Sequence, residues 1–342
     1  KEFIKLFKNN RRNEEAKITQ FHMDIASSIQ IVIEEIMIKI LKNISKKYKI
    51  DNLCLAGGVA LNCVVNGKLS KLGLFKEIWV QPAAGDAGGS LGAALSCYYI
   101  KLKKERVLEN NDSMQGSYLG VSYNNSEIES FINNSKTVSK FYNNDELLPY
   151  IAERISKGDA VGWFQGRMEY GPRALGNRSI LADPRNEKMQ KNLNLKIKFR
   201  ESFRPFAPSI LYENLNEWFD LNHYSPYMLF VGNILEKFKI KSDEDVNTGT
   251  EAINFKRSTV PAITHVDYTA RIQTVHKNTN ILYYNLISEF YKITGVPMLI
   301  NTSFNVRGEP IVCSPKDAIK CFLGTGLDIL VMGNYVLLKK DQ

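Results

Sequence analysis

The sequence predicts an α/β fold, because segments with strand and helix patterns alternate in its first third. The run "DNLCLAGG" reads as a buried strand that ends in a glycine turn, and "EIWVQP" reads as a second strand stopped by Pro82. Between them, "VALNCVVNGKLSKLG" has helical spacing and closes at Gly73. A helix of small residues follows from about Ser90, so helices are expected to pack on a sheet.

An amphipathic helix is predicted upstream of this layer. Isoleucine recurs at spacings of three and four residues, which places the side chains along one side of a helix. The isoleucines concerned are Ile25, Ile29, Ile33, Ile36, Ile40 and Ile44. This side of the helix is expected to be the packed one.

The length predicts two domains. A chain of 342 residues is too long for one ordinary domain, at roughly 150 residues each. The polar stretch "KKERVLENNDSMQGS" predicts the boundary, which divides the chain into residues 1–108 and 109–342. Beyond it, strands are predicted at "AVGWF", "YMLFVGNI", "PMLINTS" and "ILVMGNYVLL", helices at 145–157, 186–196 and 280–293, and a surface loop at "EKFKIKSDEDVNTGTEAINFKR".

Composition and charge narrow the function classes. The 45 basic and 36 acidic side chains leave a net charge of +9, which favours an anionic ligand or nucleic acid. No apolar run approaches the roughly 20 residues of a membrane-spanning helix, and the N-terminal segment lacks the apolar core of a signal peptide. A soluble, cytoplasmic protein is therefore expected.

The cysteines predict neither a disulfide framework nor a zinc site. Their number is odd, none forms a CxxC pair, and most lie in apolar runs, which is typical of buried, reduced thiols. They are Cys54, Cys63, Cys97, Cys313 and Cys321. The histidines show no HxxxH or HExxH spacing, which disfavours a histidine metal cage, and the absence of GxSxG disfavours a Ser-His-Asp hydrolase.

Two glycine-rich loops are candidates for binding a nucleotide or a metal. In "LAGGVALN", paired glycines stand between a strand and a helix, where backbone N–H groups can approach a phosphate; the alternative is a tight turn. In "PAAGDAGGSLGAAL", Asp86 is the sole charge and suits a metal or a ribose hydroxyl, with a helix cap as the alternative. The candidate residues are Gly57, Gly58, Asn62, Asp86, Gly88 and Gly89.

The densest positive charge lies in "GRMEYGPRALGNRSILADPR" and in a companion stretch, "KIKFRESFRPFAPSI". The planar guanidinium group matches phosphate and carboxylate oxygens, so the two stretches predict a polyanion pocket. Interleaved phenylalanines leave stacking on nucleic acid open, whereas Pro205 and Pro208 favour a rigid loop. The cations are Arg167, Arg173, Arg178, Arg185, Lys196, Lys198, Arg200 and Arg204.

Two downstream motifs are candidates for binding a small polar ligand. The segment "THVDYTARIQTVH" holds His265 and Arg271, and His265 is either a general base or a structural residue. The segment "INTSFNVRGEPIV" leads a strand into a loop of small hydroxyl and amide side chains, which can form several hydrogen bonds. Its polar residues are Asn301, Thr302, Ser303, Asn305, Arg307 and Glu309.

In their order along the chain, these motifs resemble the O-carbamoyltransferases of the nodulation and antibiotic-tailoring type. The resemblance covers nearly the whole chain and rests on "LAGGVALNCVVNGKL", "VQPAAGDAGGSLGAAL", "GRMEYGPRALGNRSILADPR", "FRESFRPFAPSIL", "HVDYTARIQTV" and "GVPMLINTSFNVRGEPIV". It implies the second lobe of an actin/sugar-kinase-like ATPase fold at 1–108 and an α+β YrdC-like domain at 109–342. It also implies that carbamoyl phosphate and ATP form carbamoyladenylate, whose carbamoyl group passes to a hydroxyl of a sugar or natural product.

The resemblance implies roles for individual residues. Catalytic contacts fall to Arg173, Lys198, Arg204, Arg271 and Ser303. Nucleotide contacts fall to Gly57, Gly58, Asn62, Gly88, Gly89, His265, Asn301, Asn305 and Arg307. Asp86 is expected to bind a divalent metal, iron-like or Mg²⁺, with its other ligands outside the chain. Arg173 is the favoured anion contact, while Arg178 and Arg185 are expected to be structural or on the surface.

The sequence departs from the family pattern at two points. Family members begin with a long lobe that carries an HxxxH pair of metal ligands, whereas this chain opens near the second lobe, as a fragment, a cleaved chain or a lineage that lost or split that lobe. Adenylate formation is then expected to survive, while metal binding and acceptor transfer are impaired. In the second departure, Tyr268 stands where a small residue is commoner.

Other functions and partners remain open on the sequence alone. The alternative is a basic nucleic-acid-binding or tRNA-modification-related YrdC-like protein. Acidic neighbours of the arginines, such as Glu169, Asp183 and Glu201, count against a nucleic-acid face. Carbamoyl phosphate, ATP and a hydroxyl-bearing acceptor are the expected partners, membranes and nucleic acid are not, and a homodimer is left open.

Overall fold

The computed structural model describes residues 2–13, 16–108, 112–240 and 255–342. The chain forms two compact units, Lys1–Asp51 and Asn52–Gln342. The predicted domain boundary between 108 and 109 adjoins residues outside the described part of the chain and stays a prediction. Most of the predicted charged surface loop also lies outside the described residues, at 241–254.

The first unit holds two helices, α1 (Glu2–Phe7) and α2 (Gln20–Tyr48). The predicted isoleucine-rich helix is confirmed as part of α2. Its packed side differs from the predicted one, because Leu41 is 2% exposed whereas Ile29 and Ile36 are about half exposed. The buried stripe therefore lies beside the isoleucine stripe rather than on it.

The second unit begins with a parallel pair of strands, β1 (Asn52–Leu55) and β2 (Glu77–Val80). Helix α3 (Cys63–Lys71) lies between them in sequence, and α4 (Gly88–Ser96) follows. This order confirms the predicted alternation of strands and helices. Helix α3 starts after Asn62, whose Oδ1 accepts the N–H of Val65 at 3.1 Å as an N-cap.

The predicted burial of the first strand is wrong for most of its length. Leu55 and Val80 are buried at the ends of the pair, but Cys54 and Trp79 are exposed. The described residues leave that face of the pair uncovered, so apolar composition does not produce a buried strand here. The predicted burial of the cysteines is wrong for most of them, because Cys97 and Cys313 are exposed as well and only Cys321 is fully buried.

The second unit is built around a nine-stranded sheet with the order β3-β11-β10-β4-β5-β9-β6-β8-β7. Neighbouring strands are antiparallel except in the pairs β10–β4 and β6–β8. The strands are β3 (Lys140–Phe141), β4 (Val161–Phe164), β5 (Arg178–Ala182), β6 (Ala207–Leu211), β7 (Phe230–Asn233), β8 (Thr269–Val275), β9 (Met298–Ser303), β10 (Ile329–Met332) and β11 (Tyr335–Leu338). The result is a mixed α/β fold with a mostly antiparallel sheet, and the two implied domain types stay predictions.

Helices pack against this sheet and bury its centre. They are α5 (Asn125–Ser135), α6 (Asn144–Ser156), α7 (Met189–Asn192), α8 (Leu215–Trp218), α9 (Ile281–Thr294) and α10 (Pro315–Leu323). Helix α6 packs on α9, and every residue of β4, β5, β6 and β10 is buried. None of the described helices is long and apolar enough to cross a membrane.

The predicted elements of this unit are confirmed in part. Strands β4, β7 and β9 and helices α6 and α9 match their predictions, whereas the single strand predicted at "ILVMGNYVLL" is two antiparallel strands, β10 and β11. The predicted helix at 186–196 is only the short α7 followed by a π-helical turn. Strand β6 was read as a rigid loop, and this is wrong for Pro208, which pairs with Ile300 inside the sheet.

Candidate anion-binding site

The arginine loop, residues 165–177, connects β4 to β5, whose antiparallel pairing holds its two ends together. Glu169 shapes the loop, because its Oε1 accepts the N–H groups of Leu175 at 2.6 Å, Asn177 at 2.9 Å and Arg178 at 3.3 Å. Gly176 has φ +113°, and a Cβ there would lie 2.2 Å from the ring of Tyr283. The fold of the loop therefore requires both a carboxylate and a glycine.

Arg178 is a structural residue, as predicted. Its side chain is fully buried, and its guanidinium lies 3.6 Å above the ring of Phe164. Its N–H groups donate to backbone carbonyls, including those of Val121 and Gly166 at 3.2 Å. Burial lowers the pKa of Arg178 to about 10, and the charge of Glu169 opposes this shift.

The other arginines of the stretch differ in their partners. Arg185 donates to both carboxylate oxygens of Asp183, at 2.6–3.1 Å. Arg167 is exposed and donates to the carbonyl of Gly120 at 3.2 Å. Arg173 lies between these two in sequence, and within the described residues no carboxylate pairs with it.

Arg173 and Arg271 form the centre of a cationic site. The Nη2 of Arg173 donates to the carbonyl of Leu61 at 3.4 Å, while its buried Nε has no hydrogen-bond partner in the described part of the chain. Burial, then repulsion by Arg271, lowers the pKa of Arg173 to about 10. Arg271, on β8, also has a buried Nε without a partner and hydrogen-bonds to the thiol of Cys63. Both residues are partly exposed, but their Nε atoms are buried without a hydrogen-bond partner among the described residues, an arrangement that is costly alone and favourable around an anion.

Arg200 extends the cationic site. Its Nε donates to Asn194 Oδ1 at 2.7 Å, and its guanidinium lies 5.1 Å from the ring centroid of Phe206. Burial, then the charge of Arg204, lowers the pKa of Arg200 to about 10, and Arg271 contributes. The sequence showed Arg200 only as a member of its stretch. The feature of the sequence that could have indicated its role is its position two residues after Lys198, on a segment that also holds the candidate Arg204.

Lys198 has a different environment, the lysine corner, formed with Ser303 and Asn305. Its side chain is 3% exposed, and Nζ donates to the Ser303 carbonyl and, at 2.8–3.2 Å, to Ser303 Oγ and both oxygens of Asn305. Burial, then the charge of Arg200, lowers the pKa of Lys198 to about 7, although four oxygen acceptors favour the charged amine. The N–H of Arg307 donates to the Lys198 carbonyl at 3.1 Å.

Asn301 lies beneath the arginine loop. Its Nδ2 donates to the carbonyl of Ala174 at 3.1 Å, to Ser209 Oγ at 3.0 Å and to Gln273 Oε1 at 2.8 Å. Its buried Oδ1 has no hydrogen-bond partner. The structure thus places Asn301 against the loop backbone, and its predicted contact with nucleotide stays a prediction.

His265 and the exposed Arg204 lie at the border of the cationic site. Arg204 pairs with Glu201 at 3.0 Å. His265 lines a cavity of about 220 Å³ beside Arg257, which is 8% exposed and has a buried Nη2 without a partner. Burial lowers the pKa of His265 to about 4; Asp267 opposes the shift, while Arg271 and Arg257 add to it. The imidazole is therefore neutral at pH 7.

The glycine-rich loops adjoin the arginine loop. Gly57 has φ +99° and donates its N–H to the Ala84 carbonyl at 2.8 Å, which joins the two glycine-rich loops. A Cβ at Gly171 would lie 2.8 Å from the Pro82 carbonyl, and one at Gly88 would lie 2.2 Å from the Ala83 carbonyl. These glycines permit close backbone approach. Positions Gly58 and Gly89 have open space around them.

Asp86, the predicted metal ligand, is exposed. Its carbonyl accepts the N–H of Gly89 at 3.0 Å, and its side chain does not cap α4, whose N-cap is Ala87. Among the described residues, no three His, Cys, Asp or Glu side chains lie together as a metal site. Asp86 can supply one ligand, so the described residues do not make a metal site by themselves.

Comparison with known proteins identifies two family matches. A family model described as the carbamoyltransferase C-terminus matches residues 152–339, and one described as the carbamoyltransferase N-terminus matches residues 1–95. The chain is similar to an uncharacterized protein of Synechocystis, with 51% identity over 100% of this chain and 56% of that protein.

Two further relatives carry functional names. Nodulation protein NolO of Bradyrhizobium diazoefficiens is 42% identical over 96% of this chain and 57% of that protein. The 3'-hydroxymethylcephem-O-carbamoyltransferase of Amycolatopsis lactamdurans is 31% identical over 82% of this chain and 48% of that protein. The chain spans about half the length of these curated relatives. A solved structure of full-length HypF aligns with a TM-score of 0.34 and 14% identity over 60% of this chain and 22% of that chain, too distant to support an argument.

Proposed function

The chain belongs to the carbamoyltransferase family, and on this premise we propose that it acts in ATP-dependent O-carbamoyl transfer, as an enzyme or as part of a longer one. Carbamoyl phosphate and ATP would form carbamoyladenylate, and the carbamoyl group would pass to a hydroxyl of an acceptor. The reaction brings two polyanions together against their mutual repulsion, which requires fixed positive charge.

The observation that carries this proposal is the pair of unpaired guanidinium groups, Arg173 and Arg271. A protein gains nothing in stability from two such cations side by side, because each is desolvated and each repels the other. An incoming phosphoryl group satisfies both, since its oxygens accept several guanidinium N–H bonds. Arg200 would serve the second anionic group, and Arg204 would meet substrate at the exposed border.

The remaining candidates would support the substrates rather than compensate their charge. Lys198 would hold Ser303 and Asn305 in place, so that hydroxyl and amide groups face the cationic site. The neutral imidazole of His265 and the adjoining cavity would receive an uncharged part of the nucleotide. The backbone at Gly57 and Gly58, with Asn62, Gly88 and Gly89, would approach the adenylate during transfer.

A divalent metal would polarise phosphate oxygens when bound. Asp86 is its proposed ligand in this chain, and no group of three or more His, Cys, Asp or Glu side chains among the described residues forms a metal site. No step of the proposal is routed through the metal. The acceptor is proposed only as a hydroxyl compound, a sugar or a natural product; a 3'-hydroxymethylcephem appears in the name of the Amycolatopsis relative, not of this chain.

The test is ATP–pyrophosphate exchange with and without carbamoyl phosphate, on the wild type and on Arg173→Ala. Exchange that requires carbamoyl phosphate and is lost in Arg173→Ala supports the proposal. Exchange that ignores carbamoyl phosphate, or persists without Arg173, contradicts it. Binding of RNA or DNA that weakens steeply with salt and needs no small molecule would instead support a nucleic-acid-binding protein.

A further inference from the structure

Glu169 is a buried carboxylate that the proposed reaction does not use. Its side chain lies in the arginine loop, the residue is 5% exposed, and burial raises its pKa while three backbone N–H groups oppose the shift. Its Oε1 accepts the N–H groups of Leu175 and Asn177 in the loop and of Arg178 at the start of β5, and its buried Oε2 has no partner among the described residues. The carboxylate therefore joins the start of the loop to its end, on both sides of Arg173 in sequence.

The loop carbonyls are held by side chains from neighbouring strands and segments. Asn301 donates to the Ala174 carbonyl at 3.1 Å. The Leu175 carbonyl accepts from Tyr118 Oη at 2.8 Å and from Gln273 Nε2 at 2.7 Å. Carbonyl acceptors are thus satisfied from several elements, whereas three N–H donors after Arg173 depend on the single carboxylate of Glu169. Removing that charge affects several loop bonds at once.

Glu169 and Arg173 have different electrostatic partners, so Glu169 does not simply neutralise Arg173. Arg178 is the arginine that interacts electrostatically with Glu169. Each of the two charges opposes the effect of burial on the pKa of the other group. The pKa of Arg173 is set instead by burial, Arg271 and Cys63. Glu169 thus binds the loop backbone while the charge of Arg173 remains uncompensated and available to an anion.

We propose that Glu169 is a positioning residue for Arg173: its carboxylate closes the arginine loop and thereby orients the Arg173 guanidinium toward the bound anion. This inference rests on the proposed anion-binding role of Arg173. It differs from that role because Glu169 touches no substrate and acts through the backbone of residues 175–178. A purely structural carboxylate would lower stability without changing what Arg173 contributes to binding.

A double-mutant cycle tests the proposal, with inorganic phosphate as the probe in calorimetric titrations of the chain. The variants are Glu169→Gln, Arg173→Ala and their combination. Glu169→Gln preserves the shape and an acceptor oxygen but loses the charge. In the wild-type background it should weaken phosphate binding about tenfold, and in the Arg173→Ala background it should have almost no further effect. Glu153→Gln, an exposed carboxylate on α6, is the matched control and should leave binding unchanged.

The outcomes separate this inference from the proposed function. Equal weakening by Glu169→Gln in both backgrounds, or a lowered Tm with wild-type phosphate affinity, overturns the positioning role. Absence of phosphate binding in the wild type overturns it as well. If the protein shows no ATP–pyrophosphate exchange that depends on carbamoyl phosphate, but Glu169 and Arg173 are still coupled in phosphate binding, only the proposed reaction is contradicted. If Glu169→Gln does not fold, Glu169→Asp keeps the charge with a shorter reach and should show the same coupling to Arg173 at smaller size.

Discussion

The arginine loop and the lysine corner each hold a cation in the same region, but the two cations differ in their hydrogen-bond partners. Arg173 has one long bond to a carbonyl and a buried Nε without a partner. Lys198 directs its amine at four oxygens of Ser303 and Asn305. One cation is left available for a ligand, and the other is already satisfied by the protein. Two cations of equal charge in the sequence therefore differ in how many protein acceptors they have, which is why we propose ligand binding for one and a structural role for the other.

The largest expected effect is that of Arg173→Ala, on binding rather than on folding. Losing a charge-assisted contact costs about 1.5–3 kcal/mol, so affinity for carbamoyl phosphate should fall roughly 10- to 150-fold in calorimetric titration. Tm should stay constant or rise, because an unpaired buried cation and its repulsion from Arg271 are removed. Arg167→Ala, an exposed arginine of the same loop, is the control. A large loss of Tm in Arg173→Ala would abolish the contrast with Lys198.

Lys198→Met should act mainly on stability. Removing the amine leaves several oxygens of the lysine corner without their donor, which costs about 1–3 kcal/mol of the free energy of unfolding. Thermal unfolding should show a Tm lower by several degrees. The matched control is Lys196→Met, whose exposed side chain lies two residues away on the same turn. An unchanged Tm together with a strong loss of carbamoyl phosphate affinity would place Lys198 with Arg173 as a ligand contact.

Acid should destabilise the protein through His265. Burial lowers its pKa to about 4, against about 6.5 in an unfolded chain. Between these values the unfolded chain binds a proton that the folded chain does not, so stability should fall as pH decreases through this window. The measurement is Tm at a series of pH values. In His265→Gln this part of the slope should disappear; an identical slope would show that other groups cause it.

Arg204→Ala should have the smallest effect. Its ion pair with Glu201 is exposed and solvent-screened, so the free energy of unfolding should change by less than about 1 kcal/mol. Affinity for carbamoyl phosphate should fall less than in Arg173→Ala, and the difference from wild type should shrink as salt is raised. Titrations at low and high salt measure this. A salt-independent loss as large as that of Arg173→Ala would mean that Arg204 moves into the site when substrate binds.

The sequence predicted the polyanion pocket from residue type but not the partner of each cation. Arginine on a glycine-broken backbone correctly indicated a shaped loop, and the buried contacts of Arg178 agree with its predicted structural role, while the anion contact of Arg173 stays a prediction. The roles of Glu169 and Asn301 at the loop backbone were not visible, since their partners are N–H and carbonyl groups that every residue carries. Backbone partners become apparent only when the chain is folded.

The sequence does not predict β3, β5, β6 or β8, and for β5 and β6 there is a physical reason. Strand β5 places the charged Arg178 and the polar Ser179 in a fully buried position, and β6 contains Pro208, which cannot donate to a neighbouring strand. Both features argue against a central strand when only local pattern is available. Helices α6 and α9 were predictable because their apolar spacing and caps are local. Tertiary contacts determine strands β5 and β6, whereas the periodicity of apolar residues determines helices α6 and α9.

The close contact of Gly176 with Tyr283 has a thermodynamic consequence. The ring of Tyr283, on α9, lies against the backbone of the arginine loop, and Glu169 accepts N–H groups of the loop. The loop therefore has few alternative conformations to lose when an anion binds. Little loss of conformational entropy of the loop then opposes phosphate binding. In Gly176→Ala, the added Cβ would force the loop away from the ring of Tyr283. Phosphate binding to this variant would then carry the entropy cost of ordering the loop.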